Sequence, residues 1–89
     1  MEIPFDEDDH ADRFFEEILA AVDQQLVSPQ TPYVAKTLDR LLKAGMEADE
    51  AREAIACCLL DETERVLRSK KPFDEAAYRR SLDSISPGS

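Results

Sequence analysis

The sequence is poor in the residues that most enzyme active sites require. It has two glycines, Gly45 and Gly88, among its 89 residues. That leaves no glycine-rich loop to hold a phosphate group. The single histidine, His10, does not stand at a recognisable spacing from any serine or cysteine nucleophile. The sequence therefore predicts a protein that is not an enzyme, with no catalytic residues, no cofactor and no evident small-molecule substrate.

Cysteine is also scarce, and the two cysteines, Cys57 and Cys58, are neighbours in the chain. A disulfide between neighbours would strain the backbone and could not form within a regular helix. Adjacent helical side chains point about 100° apart, so both thiols cannot bind one small ion without distortion. We expect free thiols in a reducing compartment, with Cys58 in the core and no metal ligands. The alternative is a reactive thiol.

Long apolar runs and an excess of basic residues are absent too. No stretch approaches the ~20 apolar residues that a membrane span needs. The chain has 11 basic and 20 acidic residues, giving a formal net charge of −9. Such a chain is repelled by nucleic-acid phosphates and by anionic membranes. Because the N-terminus also lacks the pattern of a signal peptide, the expected location is the cytoplasm.

The sequence is rich in helix patterns and in the signals that start and stop helices. Apolar residues recur at helical spacing, which predicts an all-α fold. Thr31-Pro32 is a typical helix start, and Gly45 is a typical helix stop. Phe73 and Tyr78 have the spacing of a hydrophobic staple around an N-cap at Asp74. We predict a small bundle of about four helices with short connections, at residues 9–27, 32–44, 47–69 and 74–85. An irregular acidic arm (1–8), a single helical domain (9–85) and a frayed tail (86–89) complete the prediction.

The segment from Thr31 to Leu82 resembles a group of small bacterial proteins known only as a domain of unknown function. The residues that carry the resemblance are Pro32, Val34-Ala35, Thr37-Leu38, Arg40-Leu41-Leu42, Gly45, Glu50-Ala51, Val66-Leu67, Pro72-Phe73-Asp74-Glu75 and Tyr78. The resemblance implies an all-helical fold and a bacterial origin, and it implies no reaction. Many relatives carry histidines at the positions of Asp49 and Glu53, where an i,i+4 pair could bind a metal. Both positions are acidic in this chain, so that role does not carry over.

The third predicted helix is apolar over more than one face at residues 54–60, AIACCLL. A helix of this kind is usually buried on more than one side, and a small domain has few other elements that can cover it. The leading hypothesis is therefore a helical protein–protein interaction module that forms a homodimer through the first or third helix. The expected interface residues are Phe14, Phe15, Ile18, Ile55, Cys58, Leu59 and Leu60.

Two alternatives follow from the excess of carboxylates. The chain could be an acidic inhibitor or nucleic-acid mimic that occupies a basic groove of a partner. It could also be a small carboxylate metal-binding protein, although the Glu-x-x-His motifs of helical di-iron sites are absent. One carboxylate, Glu62, falls on the apolar stripe of its helix and needs a partner, for which Arg40 or Arg13 is the candidate.

Overall fold

The computed structural model describes residues 7–86, and side chains from residue 14 onward. This range contains four α-helices and no strand. They are α1 (Glu7–Val27), α2 (Pro32–Lys43), α3 (Ala48–Ser69) and α4 (Glu75–Asp83). The predicted all-α bundle is confirmed, with helix ends shifted by one or two residues. Because α1 begins at Glu7, the predicted arm loses its last two residues; residues 1–6 and 87–89 lie outside the described part.

The turn between α1 and α2 begins at Ser28, as expected for a residue before proline. Pro32 occupies the first position of α2, where its missing N–H costs nothing. The predicted cap by Thr31 is wrong, because its side chain does not cap α2. The Thr31 hydroxyl instead donates to the carbonyl of Gln25, 2.9 Å away, and so ties the start of α2 to the end of α1.

Two left-handed residues end the middle helices. Gly45 follows α2 with φ of 103°, a conformation that side chains rarely adopt, which confirms the predicted stop. Lys70 follows α3 with φ of 60°, and its N–H donates to the carbonyl of Val66 over 2.8 Å. Glycine is the usual residue at such a position, so a lysine there did not predict this second left-handed turn.

The helices surround one apolar core. The connections between α1, α2 and α3 are short, and an Asp23–Arg52 ion pair joins the end of α1 to the start of α3. The helix α4 packs on α2 and α3. The buried apolar side chains are Ile18, Val22, Val34, Leu41, Ala51, Ile55, Ala56, Leu59, Tyr78 and Leu82.

Candidate interaction surface

A buried carboxylate joins α3 to the start of α4. Glu62 is only 6% exposed, and it accepts hydrogen bonds from the Arg65 guanidinium and from the Asp74 backbone N–H, 3.2 Å away. The hydrogen bond from Arg65, aided by the Asp74 N–H, holds the pKa of Glu62 below its ordinary value against the opposing effect of burial. The structure thus supplies a partner from the same helix, in place of the Arg40 or Arg13 suggested by the sequence.

Arg40 has a different task at the other end of α4. Its guanidinium donates to the carbonyls of Leu82, at 2.9 Å, and Ile85, at 3.2 Å. The last carbonyls of a helix have no partner within the helix and carry partial negative charge. Arg40 of α2 therefore caps the C-terminus of α4, while Asp74 caps its N-terminus by accepting from the N–H of Ala77.

Two tyrosines complete the attachment of α4. The hydroxyl of the buried Tyr78 passes through the core and donates to Gln25 of α1 over 2.7 Å. Tyr33 of α2 donates to Glu75 over 2.8 Å, and burial followed by this carboxylate raises its pKa to about 12. The rings of Phe73 and Tyr78 meet edge to face at 5.7 Å, which confirms the predicted staple.

The cysteines occupy different environments on α3. Cys57 is exposed, whereas Cys58 is half-buried and packs against the core. Burial, followed by the charge of Asp61, raises the pKa of Cys58 to about 11. A thiol with such a pKa is protonated at neutral pH and is a poor nucleophile. Cys58 therefore behaves as a small apolar side chain, as the sequence suggested.

Within the described residues, nothing gathers into a metal site or leaves a buried polar group without a partner. The described side chains, those of residues 14–86, include no group of three or more His, Cys, Asp or Glu placed to bind an ion. In that same part of the chain, every buried side-chain nitrogen and oxygen has a hydrogen-bond partner. No described helix is long and apolar enough to cross a membrane. The polar side chains named above hold helices together and do not converge on a ligand site.

The seven expected interface residues fall into three groups. Ile18, Ile55 and Leu59 lie in the core and are covered by their own chain. Phe15, Cys58 and Leu60 are half-buried and pack against that core. Phe14 alone is exposed, at 36%. The structure thus brings six of the seven into or against one core and leaves Phe14 at the surface.

Several large apolar side chains that the sequence did not single out as a surface are exposed. Leu42 is 40% exposed and Leu67 is 67% exposed; Phe73 and Val27 are exposed as well. Leu41 and Leu42 are both apolar neighbours on α2, yet Leu41 is fully buried. Neighbouring helical residues point about 100° apart, so a stripe that includes both is wider than the core. The width of this apolar stripe was therefore the feature of the sequence that could have predicted an exposed apolar residue on α2.

Exposed carboxylates occur on all four helices, with basic side chains between them. Examples from the four helices in order are Glu17, Asp39, Glu53 and Asp83. Asp39 is paired with Lys43 over 3.0 Å, as the i,i+4 spacing predicts. The Asp23–Arg52 pair likewise uses a surface carboxylate.

The scan against family models, the search of curated proteins and the search of solved structures each found no match. The resemblance to a bacterial domain of unknown function, and the origin that it implies, therefore stay predictions.

Proposed function

We propose that this protein is a non-enzymatic helical module that binds protein surfaces, including that of a second copy of itself. The observation that supports this proposal is that polar and apolar side chains differ in what they contact. Polar groups such as Arg40, Glu62 and Tyr78 are engaged in joining the helices. Apolar groups such as Leu42 and Leu67 are left at the surface. Exposed apolar area is what most protein interfaces bury at their centre.

The structure changes where a partner is expected to bind. The broad apolar face of α3 suggested a partner on that helix. In the fold, α3 contacts α1, α2 and α4, so its own chain already surrounds most of that face. The buried Ile55, Ala56 and Leu59 account for much of the AIACCLL segment. The remaining candidates are exposed apolar side chains, such as Phe14 of α1 and Leu42 of α2.

We place the protein in the cytoplasm on chemical grounds. Cys57 is an exposed free thiol, and Cys58 is half-buried beside it in the sequence. Free exposed thiols persist in compartments that keep cysteine reduced.

Photo-crosslinking in the native cell tests the proposal. A Leu42→benzoylphenylalanine variant should form protein adducts of discrete mass, and Lys36→benzoylphenylalanine, at an exposed polar position of the same helix, should form few. Excess unlabelled wild-type protein should suppress the Leu42 adduct, because binding to a defined surface is saturable. Adducts of equal, unsaturable intensity at both positions would contradict a binding surface.

A further inference from the structure

The basic side chains of this acidic protein are unevenly used by the fold. Those with an ion pair, a hydrogen bond or an aromatic ring as partner are Arg40, Lys43, Arg52, Arg65 and Arg79. Among the side chains of residues 14–86, the basic ones that make no such contact are Lys36, Arg68, Lys70, Lys71 and Arg80. Three of these lie within Arg68–Lys71, here called the cationic segment, and all three are exposed. The positive charge that the fold leaves unpaired is therefore concentrated at the end of α3.

The carbonyls at the end of α3 have partners other than these three basic side chains. The Ser69 hydroxyl donates to the carbonyl of Arg65 over 2.7 Å. The backbone N–H of Lys70 donates to the carbonyl of Val66 over 2.8 Å. The helix dipole favours positive charge in the last turn, which Arg68 supplies, whereas the two lysines follow the helix. The end of α3 is therefore closed without the lysine side chains.

Lys70 adopts a backbone conformation that glycine adopts more readily. Its φ of 60° lies in the left-handed region, where the Cβ of an ordinary residue is crowded by the following carbonyl oxygen. The Lys70 side chain has no ion pair or hydrogen bond with another described residue. The fold therefore does not explain the lysine, whereas a surface that binds anions does.

An apolar side chain stands beside these charges. Leu67, in the last turn of α3, is 67% exposed. It lines a depression of about 290 Å³ together with Glu64 and Arg68. The i,i+4 spacing of Glu64 and Arg68 permits an ion pair, but among the described contacts these two side chains form none. The depression thus offers an apolar contact next to an unpaired guanidinium.

We infer that the end of α3 binds an acidic peptide segment of another protein. An apolar side chain of that peptide packs on Leu67, and its carboxylates pair with the cationic segment. The inference rests on the proposed function and specifies the chemistry of the partner. Consecutive Cα atoms are 3.8 Å apart, so those of the three cations lie within about 11 Å of one another. Three or four residues of an extended peptide cover that distance.

The charge of the whole protein favours a short acidic peptide over an extended anionic surface. At physiological salt, charges more than about 8 Å apart are largely screened, so a peptide at the end of α3 responds mainly to the charges beside it. Of the nearby acids, Glu62 is buried against Arg65 and Asp74 caps α4. A membrane would also approach the exposed carboxylates of a chain with a net charge of −9, and it would be repelled by them.

A titration followed by NMR tests the inference. The probe is a synthetic peptide with the core Glu-Glu-Leu-Phe-Glu-Glu, and a second peptide carries Gln for each Glu. The acidic peptide should shift the amide signals of Leu67–Lys71 most, and its dissociation constant should rise severalfold between about 50 and 300 mM salt. The Gln peptide should bind at least about fivefold more weakly.

Single substitutions separate local contacts from net charge. Arg68→Gln and Lys71→Gln should each weaken binding about twofold to fivefold. Leu67→Ala should weaken it about fivefold, because the peptide then buries less apolar area. Lys36→Gln is the matched control: it removes the same charge from an exposed position of α2 and should change the affinity by less than about 1.5-fold.

Two further variants have effects that a merely destabilised protein would not show. Glu64→Gln should tighten binding about twofold, because it removes a carboxylate from the depression. Lys70→Gly should weaken binding about twofold to fivefold while raising the urea midpoint of unfolding, since glycine adopts positive φ without steric cost. Weaker binding by a more stable protein cannot result from unfolding.

Three outcomes would overturn the inference. They are equal affinity for the Glu and Gln peptides, equal effects of Lys36→Gln and Lys71→Gln, and tighter binding of phosphatidylserine vesicles than of the peptide through the same residues. If about 1 mM acidic peptide causes no shifts while the Leu42 adduct stays saturable, the proposed function stands and the acidic partner fails. Loss of the saturable adduct as well would remove both.

Discussion

The two sides of α2 carry different chemistry, although they belong to one twelve-residue helix. The side with Tyr33 and Arg40 makes directional hydrogen bonds to α4 at both of its ends. The opposite side carries Ala35 and Leu42, which are both exposed. Hydrogen bonds fix a unique geometry, whereas apolar contact tolerates several partners and orientations. The comparison therefore separates a closed side, which specifies the fold, from an open side, which belongs to the proposed binding surface.

The closed side also shows how a helix as short as α4 can be stable. Its nine residues are fewer than the ~12–15 that an isolated helix needs in water. Both ends of α4 are capped by side chains. Asp74, immediately before the helix, caps its N-terminus, and Arg40 of α2 caps its C-terminus. The α4 side chains of Tyr78 and Leu82 are completely buried. The open side of α2 has no comparable set of polar contacts, so its value to the isolated fold is small.

The largest effect should come from the residue that anchors α4. Tyr78→Ala removes a fully buried aromatic ring and its hydrogen bond to Gln25. We expect the free energy of unfolding to fall by about 3–5 kcal/mol, which a chain of this size is barely able to lose. Urea denaturation followed by circular dichroism at low protein concentration measures it.

A conservative change separates the ring from its hydroxyl. Tyr78→Phe keeps the packing and leaves the Gln25 amide without this donor, so we expect a cost of about 1 kcal/mol. If Tyr78→Ala lowered the free energy of unfolding no more than Tyr78→Phe does, α4 would not be part of the cooperative fold. The contacts between α4 and the closed side of α2 would then not stabilise the fold.

Much of the fold could be predicted because its signals are local. The N-cap at Asp74, the staple of Phe73 on Tyr78 and the stop at Gly45 each depend on residues close in sequence. The left-handed Lys70 was not predictable, since lysine rarely marks such a turn. The hydroxyl of Thr31 was expected to accept from a backbone N–H of α2, but it donates to the carbonyl of Gln25 instead.

The surface was harder to predict because burial depends on the arrangement of distant segments. The sequence marks Ile55 and Leu59 as apolar, but it does not show that α3 has three neighbouring helices to cover them. It also does not distinguish Leu41 from Leu42, of which one is fully buried and the other 40% exposed. The task of Arg40 depends on a contact across 42 residues of chain, which no local pattern encodes.

An intermediate effect, dependent on pH, should come from Glu62. Its pKa in the folded protein is lowered, chiefly by the hydrogen bond from Arg65. The carboxylate therefore adds stability above its unfolded pKa of about 4.3, and this contribution is lost as the pH falls through the lower folded pKa. Glu62→Gln should cost about 1–3 kcal/mol at pH 7, and less as the pH falls below about 4.

The measurement is the difference in urea midpoint between wild type and Glu62→Gln from pH 7 to pH 3. Glu64→Gln is the matched control, because Glu64 is an exposed carboxylate on the same helix. A difference that grows as the pH falls would have the wrong sign, and it would exclude the charged form of Glu62 as the stabilising species.

A small effect should also come from Arg40, because its guanidinium reaches α4 from the solvent-exposed edge of α2. Arg40→Ala removes the hydrogen bonds to the carbonyls of Leu82 and Ile85. Water can replace part of what is lost at an exposed helix end, so we expect a cost of about 1–2 kcal/mol. Lys36→Ala, an exposed change on the same helix, should cost less than about 0.5 kcal/mol. Because hydrogen exchange reports local opening, Arg40→Ala should speed exchange of the α4 amides more than those of α1. If amide exchange accelerated equally in α1 and α4, Arg40 would stabilise the whole bundle uniformly. The closed side of α2 would then not hold α4 in place separately from the other helices.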